Sequence, residues 1–242
     1  MTLAIHLYRR MMRRGRLIAL LALAAIPGMV YWLTAFDIPP SLHAANYADV
    51  VTTSGFSYAI AALIITVATL REERDGGTLP YLYMRPIPRM WIALAAMLAA
   101  MGAAITIGFG GWLGTLLAVA AVGADPAIAV TGMTLFMGAA VGYSALFVPL
   151  GYTATRATLL GLGYVIVVEM ILGSAIEAVA HLSIWRIAAS VYADLAGTLG
   201  SDAVELLGPV PVTAGGGLVK LGAVLVAGIL TLLWALRRRD AL

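Results

Sequence analysis

Six apolar runs, each near or above twenty residues in length, leave this sequence few possible folds. They cover 17–36, 50–70, 91–122, 127–150, 158–180 and 217–236. About 20 consecutive apolar residues in a helix cross the hydrocarbon core of a bilayer. Only 11% of the 242 residues are charged, whereas soluble domains carry about 25%. Because the runs are continuous rather than alternating, they favour helices over barrel strands. We predict an all-α integral membrane protein, a single transmembrane domain over 1–242 with six spans.

The distribution of Lys and Arg predicts how these spans are oriented. Cytoplasmic loops of membrane proteins carry an excess of Lys and Arg. With the N-terminus in the cytoplasm, 13 of the 15 cations fall on that side, and the other two are Arg186 and Lys220. The thirteen are Arg9, Arg10, Arg13, Arg14, Arg16, Arg71, Arg74, Arg85, Arg89, Arg156, Arg237, Arg238 and Arg239. We therefore predict both termini in the cytoplasm and a bacterial-type inner membrane as the location.

The two segments outside the spans at 1–16 and 181–216 carry weaker signals. Residues 1–16 are basic and partly apolar, which is typical of an amphipathic helix lying at the membrane surface. A contact with phospholipid or a partner, or simply a positive flank that orients the first span, would each explain it. Segment 181–216 is predicted outside, with an amphipathic helix over 182–195.

The longest charged interruption between the two ends of the chain is Arg71–Arg89, within the predicted loop 71–90. It holds seven charged residues, and each charge at mid-bilayer costs about 2.5–3.5 kcal/mol. We expect the helix of the second span to end at Gly76 and Gly77, because glycine stops helices cheaply. Thr78 then caps a short amphipathic helix that Pro86 ends. This segment either docks into a groove on a cytosolic protein or forms a capped loop without a partner.

The same stretch resembles a known family. Glu-Arg-Asp-Gly-Gly-Thr-Leu at 73–79, followed by Arg-Pro-Ile-Pro-Arg at 85–89, is similar to the signature of ABC-2-type transporter permeases, type V exporter-like subunits. The match is strongest at Gly77, Thr78, Leu79, Arg85, Pro86 and Arg89. Pro80 departs from the pattern, where the family more often has a helix former, and is tolerable in the first turn of a helix.

The resemblance implies a subunit that pairs with two ATP-binding subunits and with a second copy of itself or a homologous permease. The loop 71–90 would be the coupling helix, the N-terminal helix a second contact with the ATPase, and 181–216 a pair of short re-entrant extracellular helices. The residues that would couple to the ATPase are Glu72, Glu73, Arg74, Asp75, Gly77, Thr78, Leu79, Tyr81, Leu82, Met84, Arg85, Pro86 and Arg89.

The chain itself is not expected to be an enzyme. It has no Gly-x-x-x-x-Gly-Lys-Ser/Thr loop, and its only lysine is Lys220 at the start of the sixth span. ATP and Mg²⁺ would therefore bind to the partner subunit, with no cofactor or metal on this chain. Membrane lipids are the other expected partners, and nucleic acid is not.

Two carboxylates in or near the fifth span, Glu169 and Glu177, are candidate substrate or translocation residues, since ionisable groups at that depth are functional hypotheses by default. Glu169 has three open roles: binding a cationic substrate, relaying a proton, or holding helices together by a hydrogen bond. The first functional hypothesis is the permease of an ATP-driven exporter of a hydrophobic or amphipathic substrate. The alternative is a secondary transporter or channel that uses Glu169 without an ATPase.

Overall fold

The computed structural model describes residues 2–77, 88–172, 176–208 and 210–238. Within these ranges the chain is helical and contains no strand. We number the α-helices α1 (Thr2–Met11), α2 (Arg14–Ala24), α3 (Ile26–Thr34), α4 (His43–Ser54), α5 (Phe56–Asp75), α6 (Arg89–Val122), α7 (Ala127–Val130), α8 (Gly132–Thr153), α9 (Ala157–Gly163), α10 (Glu177–Ala180), α11 (Ile184–Ala196), α12 (Ser201–Leu207) and α13 (Ala214–Arg238). A π-helix, Tyr164–Leu172, continues α9, and short 3-10 turns lie at Ala35–Asp37 and Pro40–Leu42.

Several of these helices are long and apolar enough to cross a membrane. Among the described residues there are four such segments: Arg14–Asp37, Arg89–Val122, Ala127–Thr153 and Ala214–Arg238. The pair Pro40–Ser54 and Phe56–Arg74 makes a fifth if the two bent helices count as one span. Helix Ala157–Leu172 is apolar but shorter. The chain is thus a multi-pass helical membrane protein, and the count of six spans stays a prediction.

The predicted second span, 50–70, is not one straight helix. The chain bends by 41° between α4 and α5, at Gly55. A Cβ on Gly55 would lie 1.6 Å from Cζ2 of Trp185, and the indole Nε1 of Trp185 donates to the carbonyl oxygen of Thr52 at 2.7 Å. The bend therefore accommodates a tryptophan that arrives from α11.

The predicted fifth span, 158–180, is also interrupted. The α-helical part ends at Gly163 and the chain widens into the π-helix Tyr164–Leu172, whose hydrogen bonds join residues five apart. A separate short helix, α10, begins at Glu177. A continuous helix over 158–180 is therefore wrong, although the apolar run that suggested it is present.

Helix α11 covers nearly the range predicted for an amphipathic helix, 182–195, but it packs inside the bundle. Its residues 184–193 are all buried. A Cβ on Gly142, near the centre of α8, would lie 2.5 Å from Cγ2 of Ile184, and one on Gly138 would lie 3.3 Å from Cβ of Ala188. The N-terminus of α11 thus lies halfway along α8.

Small residues allow the long helices to pack closely, as is usual in membranes. A Cβ on Gly28 would lie 2.6 Å from the backbone of Gly114, which joins α3 to α6. At the N-terminus, α1 packs against α6, where the hydroxyls of Tyr8 and Thr106 are 3.0 Å apart. The predicted surface helix over 1–16 is therefore two pieces, because α1 ends at Met11 and α2 begins at Arg14.

Candidate functional site

Helix α5 ends at the two glycines at which the sequence predicts its end. The helix ends at Asp75, and Gly76 is its C-cap residue. Gly77 follows with φ of 65°, in the left-handed region that glycine adopts without a steric penalty. This geometry places Glu72, Glu73 and Arg74 in the last turn of a helix whose preceding residues are apolar.

Both glutamates of that last turn pair with arginines from the N-terminal helices. Arg10 of α1 contacts both carboxylates: its Nε lies 3.4 Å from Oε2 of Glu72, and its Nη1 donates to Oε1 of Glu73. Arg16 of α2 donates to Oε1 of Glu72. The side chain of Glu73 is only 6% exposed, so water screens its pair with Arg10 less than it would a surface ion pair. These pairs fix α1 and α2 to the end of α5.

Three further arginines join helix ends on the same side of the molecule. Arg74 Nη1 donates to the carbonyl oxygen of Tyr152, near the C-terminus of α8, at 2.8 Å. Arg71 Nη1 donates to Thr158 Oγ1 in α9 at 3.3 Å. Arg89, the first residue of α6, donates to the carbonyl oxygen of Leu236 in α13 at 3.2 Å. Cations favour helix C-termini because the last carbonyls lack intrahelical donors.

We call this region the charged face. It consists of Arg10, Arg16, Arg71, Glu72, Glu73, Arg74 and Arg89. Four of its residues, Glu72, Glu73, Arg74 and Arg89, are predicted coupling residues at the two helix ends that flank the charged loop, and a fifth predicted coupling residue, Gly77, follows the C-cap of α5. The other predicted coupling residues lie outside the described residues: Thr78, Leu79, Tyr81, Leu82, Met84, Arg85, Pro86 and the side chain of Asp75.

Sequence reasoning did not find the N-terminal partners of the two glutamates. Arg10 and Arg16 read as general positive flanks of the first span, because nothing local connects them to Glu72 and Glu73. The available signal was the acidic doublet itself, which lies in a loop otherwise rich in arginine and therefore needs cations nearby.

Glu169, one of the two candidate substrate or translocation residues, has its carboxylate at the N-terminus of α11. Its Oε1 accepts from the backbone N–H of Ile184 at 3.1 Å and of Trp185 at 3.4 Å. Tyr143 OH donates to the same oxygen at 3.2 Å, and Ser183 Oγ donates to Oε2. The first N–H groups of a helix have no intrahelical acceptor, and the positive end of the helix dipole attracts an anion.

This arrangement gives Glu169 a structural explanation. The residue is 7% exposed, and its carboxylate links the π-helix to α8 through Tyr143 and to α11 through two backbone amides. The side chain of Glu177, the other candidate, lies outside the described residues. The structure supplies Glu169 with partners that the sequence did not indicate, and a role for Glu177 stays a prediction.

A cavity of about 500 Å³ opens beside Glu169. Its polar lining includes Glu169, Arg186, Asp202 and Glu205, and its apolar lining includes Phe56 and other side chains. Asp202 and Glu205 belong to α12, which packs against α4. A cavity with both kinds of lining suits a ligand that is itself part charged and part apolar.

Comparison with known families decides what kind of protein carries these features. A family profile described as ABC-2 family transporter protein matches residues 11–176. The chain belongs to this family. As an ABC-2 permease it is a transmembrane subunit of an ABC transporter, and the family implies an ATP-binding subunit as its partner. The matched range includes Glu169 and every residue of the charged face except Arg10, and it ends before α11. No curated protein matches the chain.

Proposed function

We propose that this ABC-2 permease is the membrane half of an exporter of hydrophobic or amphipathic substrates, driven by ATP-binding subunits that dock on the predicted coupling loop, 71–90. The observation that carries the proposal is the set of ion pairs that joins Glu72 and Glu73 to Arg10 and Arg16. They attach the N-terminal helices to the end of α5, next to the loop with the family signature. A force applied to that loop would then move α1, α2 and α5 together.

The proposed topology has six crossings with both termini in the cytoplasm. The crossings are Arg14–Asp37, the bent pair, Arg89–Val122, Ala127–Thr153, the shorter Ala157–Leu172 and Ala214–Arg238. The contacts on the charged face join the starts of α2, α6 and α9 to the ends of α5, α8 and α13. If the starts of the odd-numbered crossings and the ends of the even-numbered crossings lie on one side, the chain crosses an even number of times. The positive-inside rule makes the side with the charged face cytoplasmic. In this topology α11 is re-entrant, because its N-terminus lies at the depth of Gly142.

The docking part of the proposal is tested on the predicted coupling loop. Arg85→Glu and a Tyr81→Ala/Leu82→Ala double variant should abolish co-purification of the ATP-binding subunit and transport, while the permease alone stays folded. A matched control is Leu195→Ala, since Leu195 is an exposed apolar residue of α11. If the loop variants retain both the partner and transport, the coupling loop is not the docking site.

The role of Glu169 separates the exporter from the alternative secondary transporter. Gln at 169 retains a carbonyl oxygen that accepts from the N–H groups of Ile184 and Trp185, but it does not titrate. An anchoring role therefore predicts that Glu169→Gln transports, whereas Glu169→Leu, which removes the carboxylate acceptor from those donors, does not. Loss of transport in Glu169→Gln with unchanged thermal stability would favour proton or cation coupling through Glu169. The four donors around the carboxylate support the anchoring role.

The cavity beside Glu169 is the proposed substrate site. Its combination of carboxylates, Arg186 and apolar side chains fits an amphipathic cargo better than a purely apolar one. A photoreactive amphipathic probe should label Phe56 or Leu206, and labelling should fall when transport substrate is added. The second permease copy expected for the complete transporter stays part of this proposal.

A further inference from the structure

A second cavity, of about 530 Å³, lies where the α1–α2 turn meets α5 and the start of α9. Among its described lining residues are four arginines, Arg10, Arg13, Arg16 and Arg71, against one carboxylate, Glu72. The rest of its lining includes the apolar side chains Ile64, Val67 and Ala68 from the preceding turns of α5. The cavity thus crosses the level at which α5 changes from apolar to charged.

The arginines of this cavity are not all neutralised by the glutamates. Glu72 and Glu73 are shared between Arg10 and Arg16. In the part of the chain that the structure describes, Arg13 is exposed and forms no ion pair. Nη1 of Arg16 is buried and has no hydrogen-bond partner there. A buried donor without an acceptor is unfavourable, so the cavity is suited to an anion with several acceptor oxygens. Arginine is the side chain best adapted to phosphate geometry.

The surroundings of the cavity distinguish a lipid from a soluble anion. Ile18 of α2 is 68% exposed and Leu159 of α9 is 64% exposed, and both helices flank α5 beside the cavity. Ile64, in the apolar wall itself, is also exposed. A phosphate group at the arginines would therefore have an apolar, lipid-facing surface directly below it. An anionic phospholipid carries both of the required parts, and basic pockets between membrane helices bind such headgroups.

We propose that this cavity binds the headgroup phosphate of an anionic phospholipid, with its acyl chains lying along Ile64 and the exposed apolar side chains of α2 and α9. The lipid brings an anion to Arg13 and Arg16 and connects the α1–α2 turn to α5 and α9. This site is separate from the cavity beside Glu169, and the proposal does not depend on the cargo or on the docking of the ATPase.

The test uses the full-length permease in a neutral detergent, with lipid binding followed by native mass spectrometry and by thermal stabilisation. Phosphatidylglycerol should bind more tightly than phosphatidylcholine, and the preference should weaken at high salt. Arg13→Gln should lower the phosphatidylglycerol affinity roughly fivefold, and Arg13→Gln with Arg71→Gln should lower it further. Arg9→Gln is the matched control, because Arg9 is an exposed neighbour in α1 that does not line the cavity.

Three results would overturn the proposal. Equal binding of phosphatidylcholine and phosphatidylglycerol would exclude recognition of the charge. An equal loss in Arg9→Gln would show a diffuse effect of surface charge rather than a site. Inorganic phosphate or glycerol phosphate that stabilises the protein as well as the lipid does would identify a soluble anion as the ligand. If the double variant does not fold, the phosphatidylglycerol affinity of Arg13→Gln alone tests the proposal, since an exposed side chain can be replaced without disturbing the fold.

Discussion

Replacing Gly55 by alanine tests whether the bend between α4 and α5 is built around Trp185. The added Cβ would lie 1.6 Å from Cζ2 and 2.2 Å from Cη2 of the indole ring. No pair of non-bonded carbon atoms approaches so closely, so either the ring or the bend must move. Trp185 is 5% exposed, and its ring lies 6.5 Å from that of Tyr58 and 6.4 Å from that of Phe136, measured between centroids. The ring is therefore held by aromatic neighbours on two sides, and the free volume next to it is the cavity beside Glu169, which Trp185 also lines.

The expected cost follows from these contacts. Forcing an extra carbon into a packed core costs about 1–3 kcal/mol. Displacing the indole also breaks its 2.7 Å hydrogen bond to Thr52, which adds about 1 kcal/mol. We expect Gly55→Ala to lower the free energy of unfolding by about 2–4 kcal/mol. Phenylalanine at 185 lacks the outer part of the indole, so Gly55→Ala with Trp185→Phe should cost about 1–3 kcal/mol less than the sum of the single changes.

The measurement is reversible unfolding in mixed micelles for the four members of this cycle, with transport measured in parallel. Gly222→Ala is the matched control, because a Cβ on that glycine of α13 meets no described atom within 4 Å. Should Gly55→Ala be as mild as Gly222→Ala, or the double variant be strictly additive, the tryptophan does not shape the bend. Reduced transport in Gly55→Ala, restored in the double variant, would additionally connect the bend to function.

Three further predictions follow from the contacts on either side of α5. A double-mutant cycle of Arg10→Gln and Glu73→Gln should show a coupling of about 1 kcal/mol that persists at high salt, because the carboxylate is largely buried; a coupling that vanishes in salt would mean an exposed pair. Tyr143→Phe should cost about 0.5–1.5 kcal/mol in thermal unfolding and leave transport intact, whereas Glu169→Leu should cost clearly more; equal costs would show that the backbone amides of α11 do not depend on Glu169. Gly228→Val should destabilise the packing of α13 on α8 by about 1–3 kcal/mol, seen as a lower melting temperature, and no change would contradict the close backbone contact.

Features encoded by neighbouring residues were predictable from the sequence. Helix α6 begins and ends within two residues of the predicted span 91–122 because Pro88 precedes its first residue and Gly123, with φ of 78°, follows its last. The end of α5 at Gly76 and Gly77 was predictable for the same reason. Each of these boundaries depends on the conformational preferences of one or two residues, which composition and order alone reveal.

Features that arise from contacts distant in sequence were not predictable. The bend at Gly55 comes from Trp185, the partners of Glu72 come from α1 and α2, and the donors to Glu169 come from α8 and α11. The glycine pattern illustrates the difference. Gly110 and Gly114 lie four residues apart on one face of α6, and Gly114 meets Gly28 of α3. The spacing of residues in the sequence indicates which of them share a helix face, but it does not indicate which other helix packs against that face.

The two sites are connected by one element, α5. At one end its last turn is attached to α1 and α2 by Glu72 and Glu73 and to α8 by Arg74. At the other end Phe56 lines the cavity beside Glu169, immediately after the bend against α11. Helix α5 has 20 residues between these two ends. At 1.5 Å per residue its length is about 30 Å, which equals the thickness of the bilayer core. In the proposed mechanism α5 would carry a displacement from one of these ends to the other. Movement of the charged face would therefore change the bend at Gly55, and with it the position of Trp185 and the N-terminus of α11 at the cavity wall. Glu169 accepts from that N-terminus and from Tyr143 of α8 through the same carboxylate oxygen, so it links α11 to α8 at the point where a movement of α5 would arrive.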